Sequence, residues 1–191
     1  MKISFSFPTE KKQKKWLKAR KIDALSYPLP EITKHNNTFP GFDHDKNQIY
    51  LGRGEEVYQA ACKALSDWKM FPGAWTRTCA PFEGFPVGEE VAVFFKMFGL
   101  WWWNSCRIIY NFDGEENRFG FAYGTLDNHV EMGEEIFYIE RNEEGEVYYK
   151  IEAFSRPNKW FTKIGYPIAR AWQGKFVRES FLVMKDAVKK A

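Results

Sequence analysis

Between Trp75 and Phe154 the chain offers six strand-length segments in succession, joined by turn sequences too short for a helical crossover. Parallel neighbours need a connection of about a dozen residues or more, so this spacing dictates an antiparallel meander. The segments are Trp75 to Cys79, Val91 to Phe98, Trp101 to Phe112, Arg118 to Leu126, Glu131 to Arg141 and Glu146 to Phe154. Gly99, Asp113-Gly114, Asp127-Asn128 and Glu143-Glu144-Gly145 turn the chain between the last five.

The flanks complete the frame. Gln48 to Gly52 reads as a seventh strand, and residues 3–7 as a further short one. From Glu55 to about Trp68, Val57, Ala61, Ala64 and Leu65 recur near helical period. Gly52-Arg53-Gly54 is not a phosphate loop. The third glycine of a dinucleotide fingerprint and the lysine of a P-loop are absent, and Glu55 and Glu56 already supply the helix N-terminus with carboxylates. After the meander, Ser155-Arg156-Pro157 reads as the start of a long helix whose apolar face runs through Ile168 and Phe176 to Met184. Pro167, beside Gly165, is expected to kink it. Ahead of the sheet, Thr9 is placed to cap a lysine-rich helix through Lys21, and residues 26–47 read as a loop packed down by its own side chains. The division is then a basic extension and wrapping loop over 1–46 and one α+β domain over 47–191.

Charge is segregated. Residues 1–46 carry 10 Lys/Arg against 5 Asp/Glu, residues 113–152 carry 3 against 12, and residues 156–191 carry 9 against 2. Basic and acidic regions of this kind attract each other within a fold, or the basic arm meets an anionic membrane surface. An acidic meander argues against nucleic acid. Cys62, Cys79 and Cys106 lack metal or redox spacing, which fits a reducing, cytoplasmic compartment, and neither a metal nor a cofactor is expected. The most apolar run, Met97 to Trp103, is far short of the ~20 residues of a spanning helix.

No catalytic motif stands out, so the candidates are weighed singly. Trp101-Trp102-Trp103 places Trp101 and Trp103 on one face of a strand and Trp102 on the other, as core or as cavity wall. His129, Glu131, Gly133 and Glu135 share a face, with Glu134 opposite. His129 with Glu134 or Glu135 is the available acid–base pair, and a turn histidine among surface glutamates is the plainer reading. Arg107 and Arg156 stand among apolar residues, either paired with Glu134 or Glu152 or gripping an acidic ligand headgroup.

The order of elements resembles the helix-grip arrangement of the START and birch-pollen-allergen superfamily. At motif level the chain resembles an uncharacterised family of bacteria and plants within it. The residues that carry this are Leu51-Gly-Arg-Gly-Glu55, Phe119-Gly-Phe-Ala-Tyr-Gly-Thr-Leu126, His129, Gly133-Glu-Glu135 and Ala153-Phe-Ser-Arg-Pro157. The resemblance implies a curved sheet of about seven antiparallel strands wrapped on the last helix, and an apolar or amphipathic small molecule between them. Phe95, Trp101, Trp103 and Phe137 would wall that space from the sheet, and Trp160, Ile164 and Trp172 from the helix. Arg107, Arg156, Tyr110 and Tyr123 would offer it polar groups. The expectation is a binder rather than an enzyme.

Overall fold

A computed structural model describes residues 2–28, 30–35, 40–158 and 165–190. Its elements are β1 (Lys2–Ser4), α1 (Glu10–Lys18), a 3-10 turn (Ile32–His35), β2 (Asp43–Arg53), α2 (Glu55–Ser66), β3 (Thr76–Cys79) and β4 (Glu90–Met97). They continue with β5 (Leu100–Asn111), β6 (Arg118–Thr125), β7 (Glu131–Arg141), β8 (Glu146–Pro157) and α3 (Tyr166–Lys189). Every strand pair is antiparallel, in the order β2-β8-β7-β6-β5-β4-β3, with β1 added beside β5. The sheet wraps on α3, which is the helix-grip arrangement.

Two boundaries that bear on the site differ from expectation, each for a physical reason. Ser155-Arg156-Pro157 does not start the last helix but ends β8, where Gly133, Met132 and Glu131 pair with it. The pairing of β2 with β8 stops at Asp43 opposite Ser155, so the N–H that Pro157 lacks has no partner waiting on that side. The helix begins instead at Tyr166, with Pro167 in its first turn. There a proline forfeits only an amide that the helix leaves unpaired, and no kink follows. β2, in turn, starts at Asp43 and not at Gln48. Its polar opening, Asp43 to Asn47, hides a strand that register with Ile151 to Ser155 makes plain.

The helix-covered face holds the main core, where α2 and α3 meet Phe121, Phe137, Tyr149 and Ile151. The outer face carries three smaller clusters. One places Leu17 and Trp16 of α1 on Phe94, Trp101 and Trp103. Another seats Tyr27 and Ile32 on Phe154. With Leu17 and Gln13 turned inward, α1 leaves Lys11, Lys12, Lys14, Lys15 and Lys18 exposed.

The sheet and α3 are joined by a buried hydroxyl pair, Tyr149 Oη to Ser180 Oγ at 2.9 Å. Ser180→Ala strands the tyrosine hydroxyl in the core. The expected loss is about 1–3 kcal/mol, read by urea denaturation.

Candidate functional site

Between the helix-covered face and α3 lies a cavity of about 670 Å³. Its floor follows from strand register. Asp45 on β2, Ala153 on β8, Glu135 on β7 and Tyr123 on β6 stand opposite one another in sequence across four adjacent strands. The next row holds Ser155, Gly133 and, farther along β6, Thr125, all small. Aromatic walls rise on the other sides from Phe95, Trp102, Phe98, Phe71, Trp75, Trp172 and Phe176.

Of the residues expected in a ligand site, Phe95, Tyr123, His129, Glu135 and Trp172 line this cavity. Trp160 and Ile164 lie outside the described residues. The remaining expectations are corrected by the register. β5 presents Trp102 to the cavity, stacked on Phe95 with centroids 6.0 Å apart, and turns Trp101 and Trp103 to the outer face. There Trp103 donates its indole N–H to Ser4 Oγ at 2.9 Å, with the Lys2 ammonium over its ring. Arg107 points the same way. Its guanidinium meets Glu90 at 3.0 Å and the carbonyls of Lys21 and Asp23 at 3.1 Å each, fastening the N-terminal segment, and neither Glu134 nor Glu152 is its partner. The Tyr110 hydroxyl is bonded to Thr33 Oγ1 on the outer face at 2.5 Å. Arg156 lies over the Phe42 ring, away from the cavity. Phe137 is fully buried behind the cavity wall, against Phe71, Phe121 and Phe176.

The neighbouring glutamates part company. Glu134 touches the cavity wall, yet its carboxylate is committed to the outer face. It accepts from Tyr27 Oη at 2.7 Å, from the amides of Glu31 at 2.9 Å and Thr33 at 3.0 Å, and from the Thr33 hydroxyl. That removes it as an acid–base partner for His129. Glu135 faces the cavity and accepts a hydrogen bond from Tyr123 Oη at 2.8 Å on Oε2. Burial pushes its carboxyl up to about 7 and the charge on Asp45 adds to this, while the Tyr123 hydroxyl opposes it. Burial likewise lifts Glu131 to about 7, against the pull of Arg170. His129 Nδ1 lies 3.0 Å from both the amide nitrogen and the carbonyl oxygen of Glu131, and burial lowers its pKa to about 4. The ring is therefore neutral at pH 7.

Residues that sequence reasoning missed close the polar end. Arg170 grips Asp45 with both guanidinium arms, one at 2.7 Å, Gln173 donates to Ser155 Oγ at 3.3 Å, and Tyr166 donates to Asp43 at 2.6 Å. The signal was the period of α3, in which Tyr166, Arg170 and Gln173 fall on one side, but it needed β2 to begin at Asp43 to have meaning.

A pH prediction follows for Glu135. Its folded value near 7 stands above the ordinary 4.5, so the folded state holds a proton that the unfolded state has lost between these values. That contribution to stability is complete below about pH 4.5 and gone above about pH 7. Glu135→Gln, which carries no charge, is expected to match the natural protein near pH 4.5 and to exceed it at pH 8. The gain is on the order of 2 kcal/mol, read by urea denaturation at the two pH values.

Residues 26–182 match the family described as "Domain of unknown function (DUF1990)". A "UPF0548 protein" of Dictyostelium discoideum is 38% identical over 173 residues, which cover 85% of this chain and 80% of that one. "UPF0548 protein At2g17695" of Arabidopsis thaliana is 32% identical over 145 residues, covering 73% of this chain and 70% of that one. The crystal structure of Ara h 8.0201 superposes with a TM-score of 0.50 at 9% identity, over 79% of this chain and 100% of that one. At so low an identity the likeness speaks for the fold alone.

Proposed function

We propose that this chain, which belongs to the DUF1990 family of domains of unknown function, binds an apolar or amphipathic small molecule between sheet and C-terminal helix. It acts as carrier or sensor, without covalent chemistry. The cavity carries this reading. Its volume of about 670 Å³ falls within the roughly 300–1,000 Å³ of small-molecule sites. Its walls are indole and phenyl rings, and its polar groups gather in one region, which suits a ligand with one polar end. Native mass spectrometry of freshly purified protein, followed by solvent extraction, tests it. A bound species of defined mass is expected. A clean unliganded mass, with no thermal shift across a lipid and metabolite panel, overturns it.

One observation favours a second reading. Glu135, bonded to Tyr123 and held near neutrality, together with the neutral ring of His129, can transfer protons within the same cavity. Conversion of the extracted species by the protein, lost in His129→Ala with the fold intact, would establish an enzyme.

A further inference from the structure

Among the described residues, the charges that face the cavity do not cancel. Arg170 is bonded to Asp45, though its charge also acts on Glu131, and Arg178, the other arginine on the wall, has an exposed side chain. Glu134 is satisfied on the outer face. His129 is neutral. What remains is Glu135 and Glu131, two residues of one strand face with only Gly133 between them. Among the described residues neither carboxylate has a cation within ion-pair distance, and Glu135 Oε1 has no hydrogen-bond donor. A part-buried carboxylate without a counter-charge is costly, and an oxyanion on the ligand would add to that cost.

We propose that the cavity takes a cation: an apolar primary amine whose ammonium group sits against Glu135 and whose hydrocarbon lies among Trp75, Trp102 and Trp172. This rests on the binding function proposed above and names its ligand class. Three features converge on it. The free oxygen of Glu135 is an acceptor for an N–H, and the Tyr123 hydroxyl on the other oxygen holds the carboxylate in place. Glu131, farther along the same face, adds negative potential without a side chain in between. The indole walls offer the hydrocarbon an apolar surface to lie against. Burial raises the Glu135 carboxyl, and an ammonium bound beside it would favour the ionised form.

Decylamine, decanol and decanoate share a chain and differ in the head, so they separate the two claims. Titration calorimetry with the full chain at pH 7.5 is expected to rank decylamine tightest, by about tenfold or more over decanol, with decanoate weakest. In Glu135→Gln the advantage of decylamine over decanol should fall to within about threefold, and Glu131→Gln should lower it less. Equal affinity for decylamine and decanol, or a preference for decanoate, overturns the cation assignment and leaves the cavity reading standing. Binding of none of the three removes both.

Discussion

Gly133→Ala is expected to destabilise the protein by at least about 3 kcal/mol, or to prevent its accumulation in soluble form. Gly133 holds φ +148, and a Cβ there would lie 1.8 Å from the Phe154 carbonyl oxygen and 2.8 Å from its carbon. Both atoms are backbone of β8, the next strand, so no rotamer change relieves the clash and the β7–β8 ladder must part. The residue is also bonded at both ends to one side chain, its amide to Thr125 Oγ1 at 2.9 Å and its carbonyl from the same hydroxyl at 3.1 Å. Gly99 is the matched control: it has φ +78, and a Cβ there would meet nothing within 4 Å. Gly99→Ala should therefore cost only about 1 kcal/mol. Urea denaturation of the pair checks the contrast. A Gly133→Ala protein as stable as Gly99→Ala would mean that the β7–β8 register is wrong.

Glu134→Ala should cost about 3–5 kcal/mol, and it should do so by releasing Tyr27, Glu31 and Thr33 from the sheet. The carboxylate gathers the Tyr27 hydroxyl, the Glu31 and Thr33 amides and the Thr33 hydroxyl, and its own exposure is 2%. Truncation leaves all four donors without their acceptor where water reaches poorly. Urea denaturation measures the loss. Hydrogen exchange at the Glu31 and Thr33 amides locates it, since those two should lose protection before the β7–β8 ladder does. Unchanged exchange at both would show that other contacts hold them.

The meander, the antiparallel order and the final helix were legible from strand-length alternation and turn residues, because those signals are local. Which face of each strand meets the cavity was not legible. Alternation by two marks two faces, and it names the inner one only when the other is polar. Here the outer face is covered too, by α1 over Trp101 and Trp103 and by Leu25, Tyr27 and Ile32 over Phe154. Both faces of β5 are therefore apolar, and the choice between Trp102 and its neighbours fell to tertiary packing. The same cause misled the reading of Arg107, which is bonded to carbonyls that sequence distance conceals. Ser155-Arg156-Pro157 was misread for a different reason. Capping residues describe what a helix start tolerates, and the end of a strand beyond its neighbour's reach tolerates the same ones.

β5 also turns one tripeptide into two optical probes. Trp102 borders the cavity, while Trp103, its neighbour in the chain, is 2% exposed beneath α1 and β1. The two indoles are separated only by the thickness of a strand. A quencher small enough to enter the cavity therefore meets the first and is screened from the second. In variants that keep one or the other as the sole emitter of the tripeptide, fluorescence would report filling of the cavity from Trp102 and lifting of the N-terminal arm from Trp103.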